Sequence, residues 1–350
     1  MIIQQELSSV VGNKNESDVS INDSKQIAVE SVSPFFIDPD FYSCLTYDHK
    51  KQLFANNVEL VYIETHSKCN RSCWFCPNSV VDRHSENIIM DDSLFHKILN
   101  ELSQIDYDGD LSFSVYNEPL IDPNIADRRI RPARKKLPYA KLHFDTNGDF
   151  ITTDIISNLA SSGLDRLQIS IYVDDDVELE WDYNVANNVV VEFCNKMGIP
   201  INIQTAPNEV QFITYGMIDS MLILVHSENH RLISYDRANS VPEYIPIPRI
   251  RERNRICTWP YIMLVVQHDG QVMPCCQFRS DVGSHKDFVI GNIRDETIFE
   301  IFSSDSYKKF RSDRLGDINT IPCNSCTASH ENLIINNPFE PMRNRPRYRR

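Results

Sequence analysis

The sequence predicts an α/β fold: a partial (β/α)6, TIM-like barrel followed by a small β-hairpin and helix domain. Three observations carry that prediction. From Glu59 onward, β-branched and aromatic runs alternate with stretches of helical apolar spacing, giving six βα-like units. The first strand, Val58 to Thr65 (VELVYIET), runs straight into a loop with three cysteines, and α/β barrels carry their chemistry on the loops at strand C-terminal ends. After Ala238 the alternation stops, and Asp269-Gly270 then separates two short apolar runs, a strong hairpin signal.

Residues 1–33 are rich in Ser, Asn, Asp and Gln, hold no aromatic residue, and read as a disordered segment. Residues 34–57 form an aromatic-rich arm expected to pack irregularly on the core, with Cys44 a buried thiol rather than a ligand. The barrel spans 58–238. Asp91 and Asp92 precede a helical stripe of Leu94, Phe95, Ile98, Leu99 and Leu102. Leu111 to Tyr116 is the second strand and Ala140 to Thr146 the third. A helix over Thr152–Ser162 stops at Gly163, and Leu167 to Tyr172 is the fourth strand. A long helix ends near Gly198. Ile199 to Thr205 is the fifth strand, Val210 to Val225 a helix, and Arg231 to Tyr235 the sixth strand.

Residues 239–256 hold three prolines without periodicity and read as a linker. Residues 257–330 are the second domain. Its hairpin is formed by Ile262–Val266 and Val272–Met273, and its helix by Thr297–Phe310. Residues 331–350 are a basic, solvated tail carrying Arg343, Arg345, Arg347, Arg349 and Arg350.

The 350-residue chain carries a net charge of −14, which speaks against a general nucleic-acid binder. No run of about 18 apolar residues suggests a membrane span. The N-terminus lacks the pattern of a signal peptide. Ten cysteines without an export signal point to metal ligation in a reducing cytoplasm rather than to disulfides.

Cys69, Cys73 and Cys76 lie within eight residues (CNRSCWFC). Thiolates select iron–sulfur clusters, zinc or Cu(I), and a structural zinc site closes its shell with four protein ligands. Three close cysteines without a near fourth fit a [4Fe–4S] cluster with one iron left open. CxxxCxxC after a first strand, with Phe75 just before the last cysteine, resembles the radical S-adenosylmethionine (SAM) superfamily. The resemblance implies that the open iron chelates the amino and carboxylate groups of SAM. An electron, from a donor such as flavodoxin or ferredoxin, then cleaves SAM to methionine and a 5′-deoxyadenosyl radical.

Further residues follow from the same resemblance. Tyr116-Asn117-Glu118-Pro119 stands in place of the family's Gly-Gly-Glu-Pro motif, so Glu118 is expected to hold the SAM amino group. Asn147 is a candidate for the ribose and Ser170 for the methionine carboxylate. Gln204 and Asn208 are candidates for the adenine edge, and Phe75 for packing on the adenine.

A second group comprises Cys257, Cys275, Cys276, Cys323 and Cys326. A hairpin thiol and a closing CxxC can surround one metal centre. The group resembles the twitch domain, a short form of the SPASM domain, and implies one auxiliary [4Fe–4S] cluster on Cys257, Cys275, Cys323 and Cys326. Cys276 competes with Cys275, and a four-cysteine zinc site is the alternative to the cluster.

A cluster closed by four thiolates can accept an electron, which suits a net two-electron oxidation. The spacing resembles aminocyclitol and sugar alcohol dehydrogenases of natural-product biosynthesis. In those enzymes an arginine comparable to Arg237 contacts the substrate hydroxyl. The rival class is a maturase acting on a ribosomally made precursor peptide. The 57 residues before the first strand are too few for the leader-binding domain that such relatives often carry.

Overall fold

The main sheet grows outward from β1, Leu60–Ile63, whose residues alternate between half-buried and buried. The computed structural model describes residues 45–173, 176, 178–204, 207–248, 257, 259–316, 322–324, 326 and 328. The expectations for residues 1–33, for Cys44 and for the basic tail therefore lie outside the described residues, as does the linker beyond residue 248.

The other strands are β2 Asp110–Ser112, β3 Lys141–Thr146, β4 Arg166–Ser170, β5 Ile203–Gln204, β6 Gln211–Ile218, β7 Met221–Glu228, β8 Met263–Val266, β9 Gln271–Met273 and β10 Gly291–Asn292. They form one sheet in the order β10-β9-β8-β1-β2-β3-β4-β7-β6-β5. The run from β8 to β7 is parallel throughout, and the outer strands pair antiparallel. A parallel strand is covered on both faces, which is why β8 (MLVV) is buried at every position. The sheet does not close, so the architecture is a partial barrel.

Local signals fix the helices. Helix Asp92–Ser103 is capped by Asp91, whose side chain accepts from Ser93 N. Helix Thr153–Ser162 is capped by Thr152 and ends at Gly163, whose φ of 93° is left-handed. Helix Tyr183–Met197 ends the same way at Gly198.

Several expectations need correction. Val210–Val225 is not a helix but most of the β6–β7 hairpin, in register from Gln211↔Glu228 to Ile218↔Met221. The apolar run Met221–Val225 suits a buried strand as well as a helix, and the turn uses Asp219-Ser220 with Asp219 at φ 51° instead of a glycine. The fifth strand shrinks to the edge strand β5. The sixth becomes the helical turn His230–Ile233. The stretch Tyr47–Asn57 of the arm is a regular helix, not an irregular pack. Its Phe54 meets Phe299 and Phe302 edge-on, with ring centroids 5.4 and 5.3 Å away. The expected Thr297–Phe310 helix is two helices, Ile298–Phe302 and Asp305–Gly316. The β8–β9 hairpin forms as expected, with Gly270 at φ 89° in its turn.

The later segment is not a separate layer, because β8 lies in the barrel sheet beside β1. Its docking is polar as well. Glu101 accepts from Ile298 N at 2.9 Å, and Lys97 Nζ donates to the Ile293 and Glu296 carbonyls. Deeper, the fully buried Glu64 pairs with Arg83 at 3.0 Å and with His268 at 2.7 Å. Arg83 also pairs with Asp281 at 2.8 Å.

Removing one partner of a buried pair leaves a charge without compensation. Arg83→Ala is therefore expected to cost about 3–5 kcal/mol of unfolding free energy in a denaturant titration. A loss near zero would show that Glu64 does not depend on the arginine.

Candidate active site

A cavity of about 260 Å³ opens at the C-terminal ends of β1–β4 and β7. Loop residues after β1 supply Cys69, Cys73 and Cys76 to its wall. The loop is pinned from several sides. Cys69 N donates to the Arg83 carbonyl at 3.1 Å, and Cys76 N donates to the Cys73 carbonyl at 2.9 Å. Arg71 grips Asp149, after β3, through Nε at 2.7 Å and Nη2 at 2.6 Å. That two-pronged contact holds the Asp149 carboxyl below its ordinary pKa.

Burial pushes the Cys69 thiol up to about 11 and raises Cys73 further, and the neighbouring thiols add to both effects. Two thiols so raised ionise together only beside a compensating cation. Three thiols on one loop fit an iron–sulfur cluster with one iron left open, since a structural zinc site closes its shell with four protein ligands.

Glu118 lies on the same wall, 2% exposed. Its Oε1 accepts from Thr146 Oγ1 at 2.7 Å and from Leu120 N at 3.0 Å, and its Oε2 accepts from Asn147 N at 2.7 Å. Burial outweighs these donors and raises its pKa above the ordinary value. A ligand cation would relieve that penalty. Asn147 lines the cavity, and its Nδ2 donates to Asn70 Oδ1 at 2.7 Å. Ser170 lies 2.9 Å from His226 Nε2. Phe75 lines the cavity but stacks on His230, with centroids 3.4 Å apart and planes at 4°. Asn208 lies instead at the turn before β6, where its Oδ1 accepts from Val210 N and Gln211 N. Gln204 sits on the outermost strand, and its side chain is outside the described residues.

Arg237 faces the cavity after the turn His230–Ile233. Its guanidinium lies over the rings of Tyr235 and Tyr116, 5.5 and 5.9 Å from their centroids, and its Nε has no hydrogen-bond partner among the described residues. Sequence reasoning missed the neighbouring pair His226 and Glu228, whose Nδ1 and Oε1 are 3.2 Å apart. Burial opposes a charge on His226, but Glu228 more than offsets it and raises its pKa. The pair lies just past the apolar run Met221–Val225, and ending a helix at Val225 left these polar residues outside any element.

The second thiol group gathers behind this wall. Burial pushes the Cys275 thiol far up, and Cys276, Cys257, Cys323 and Cys326 add to the shift. Burial also raises Cys276, to about 11, but Arg237 opposes it. Both thiols neighbour Cys257, and Cys276 also feels the cavity arginine. Tyr116 joins the two regions: it lines the cavity, and its hydroxyl donates to the Cys276 carbonyl at 2.9 Å.

Comparison with known proteins agrees with this arrangement. Residues 63–198 match the radical SAM superfamily, and residues 257–327 match the iron–sulfur cluster-binding SPASM domain. A 2-deoxy-scyllo-inosamine dehydrogenase of Niallia circulans that depends on S-adenosyl-L-methionine is 27% identical over 252 residues, 72% of this chain and 85% of that protein. A cofactor-modifying protein for tungsten-containing aldehyde ferredoxin oxidoreductase from Pyrococcus furiosus is 23% identical, over 73% of this chain and 83% of its own length. The crystal structure of BtrN in complex with AdoMet and 2-DOIA superimposes with a TM-score of 0.56 at 24% identity. It covers 77% of this chain and 93% of that one, a likeness of fold.

Two outcomes are expected. Cys69→Ala, Cys73→Ala or Cys76→Ala lowers the iron of an anaerobic preparation from about eight to about four atoms per chain and stops SAM cleavage. Cleavage at the parent rate in any of them contradicts the assignment. Glu118→Ala weakens SAM binding by about ten- to hundredfold in calorimetric titration. Unchanged affinity would assign the amino group to another residue.

Proposed function

The chain belongs to the radical SAM superfamily, and we propose that it oxidises a secondary alcohol of a sugar or aminocyclitol to the ketone. The observation that carries this reading is the position of Tyr116 and Arg237. Both line the cavity beside Cys69, Cys73 and Cys76, and both neighbour Cys276 of the second thiol group. A substrate in the cavity therefore lies between the two thiol sets.

When bound, the open-site cluster and SAM supply a hydrogen-abstracting 5′-deoxyadenosyl radical, and a thiolate-closed cluster supplies an electron acceptor. Cys69, Cys73 and Cys76 are the proposed ligands of the first, and Cys257, Cys275, Cys323 and Cys326 of the second. Turning an alcohol into a ketone removes one hydrogen atom, one electron and one proton, and the proton, made acidic at the radical stage, leaves to solvent through the cavity. The remaining work falls to side chains. Glu118 meets the SAM ammonium, with Thr146 and the backbone of Leu120 and Asn147 holding its carboxylate in place. Asn147, Ser170 and Phe75 line the same wall and complete the SAM site. Arg237 orients the substrate hydroxyl through its guanidinium at the cavity wall. Arginine is a poor base, so its role is to hold the oxygen in place.

The priming electron is assigned to a protein donor of the flavodoxin or ferredoxin class. The match to the inosamine dehydrogenase, over 85% of that protein, favours a small polyol over a precursor peptide.

The test is anaerobic turnover with SAM, reductant and a panel of aminocyclitols and sugars. A product lighter by two hydrogens, formed one for one with 5′-deoxyadenosine, is the expected result. Arg237→Gln is expected to lower kcat/KM by about ten- to hundredfold while SAM cleavage continues. Turnover of none of the polyols alongside modification of a peptide would overturn the reading.

A further inference from the structure

We propose that His285 is a positioning residue for Arg237, acting from the SPASM region on the backbone turn that carries the arginine. The inference rests on the reading of Arg237 given above.

Arg237, Ala238 and Asn239 have φ angles of 52°, 52° and 63°. Three successive L-residues in the left-handed region are disfavoured, and such a turn persists only where its surroundings hold it. Part of the hold is internal. Ser240 N and Oγ both donate to the Arg237 carbonyl, at 3.2 and 2.7 Å, and Val241 N donates to the Asp236 carbonyl at 3.1 Å. The Ala238 carbonyl is the turn's outward acceptor, and His285 Nε2 lies 2.7 Å from it.

The role of that ring is defined on its other side. Arg279 N approaches His285 Nδ1 at 3.1 Å, and a backbone N–H can only donate. Nδ1 is therefore the acceptor, and Nε2 carries the proton that it donates to Ala238. The ring has no exposed surface, so water cannot replace this bond. Arg279 is itself fixed, since Nη1 donates to Asn78 Oδ1 at 2.7 Å and Nε to Asp281 Oδ1 at 2.8 Å. A continuous set of bonds thus runs from the loop after the first three cysteines, through Arg279 and His285, to the turn that holds Arg237. In this arrangement the cavity arginine takes its place only when the region around residues 279–285 is docked.

Two variants test the proposal. His285→Leu removes the donor, and His285→Gln keeps one near the place of Nε2. Hydrogen–deuterium exchange of the purified protein is read at residues 239–241 and at β8 and β9. In His285→Leu the turn amides are expected to exchange about tenfold faster while β8 and β9 stay protected. In turnover assays the variant is expected to cleave SAM normally but to form about tenfold less ketone per 5′-deoxyadenosine, through kcat rather than KM. His285→Gln is expected to recover most of both losses. Unchanged exchange at the turn overturns the proposal, as does parent-level coupling. Faster exchange spread equally over β8 and β9 also overturns it, in favour of a general packing role. The two readings fail separately: an unaffected Arg237→Gln enzyme removes the role of Arg237, whereas an unchanged turn in His285→Leu removes the positioning.

Discussion

The molecule depends on keeping one carboxylate charged where water does not reach. Glu64 follows β1 with no exposed surface, between Arg83 from the cysteine loop and His268 from the β8–β9 turn. Burial opposes its charge, but Arg83 and His268 outweigh burial and hold its carboxyl well below the ordinary range. Buried ion pairs of this kind contribute little net stability, because desolvation offsets their attraction. Here they set geometry. Arg83 also accepts from Cys69 N through its carbonyl and donates to the Ser67 carbonyl, so the same residue that satisfies Glu64 shapes the cysteine loop.

The network extends to the second thiol group through Asp281. That carboxylate takes Arg83 on one side and Arg279 on the other. Arg279 lies over the Tyr116 ring at 4.6 Å, and Tyr116 reaches the Cys276 carbonyl. The two thiol sites therefore share a rigid polar floor as well as a sheet, since β8 pairs with β1 residue for residue from Leu60↔Met263 to Ile63↔Val266. The shared sheet and the Asp281 bridge tie the segments that carry the two thiol groups to one another.

Much of this was legible wherever the chemistry is local. CxxxCxxC is a short spacing, and Asp91, Thr152 and Gly163 mark helix ends by their own side chains or lack of one. The β6–β7 hairpin was not legible, because Met221–Val225 is uniformly apolar and carries no period. Nor was the Glu64 network, whose partners Arg83 and Asp281 lie 198 residues apart. Arg237 reached the cavity although its element was misread, since a helical turn and a left-handed turn deliver it where a strand end was expected.

The departure from Gly-Gly-Glu-Pro at residues 116–119 puts two side chains, Tyr116 and Asn117, where the motif has glycines. A glycine keeps its backbone free to approach a ligand, whereas Tyr116 and Asn117 use their side chains to brace it. Asn117 Oδ1 accepts from Val115 N, and its Nδ2 reaches Thr65 Oγ1 and the Phe113 carbonyl. Tyr116 N donates to Glu64. The carboxylate that follows, Glu118, is thus set by a strand end tied to the buried charge below it. Its own position is further fixed by Lys68, whose carbonyl accepts from Glu118 N at 2.9 Å, one residue before Cys69. The first thiol and the acidic group proposed to hold the SAM ammonium are therefore carried on adjoining, hydrogen-bonded segments. Glu64 thus braces the strand end that carries Glu118, although it does not itself line the cavity.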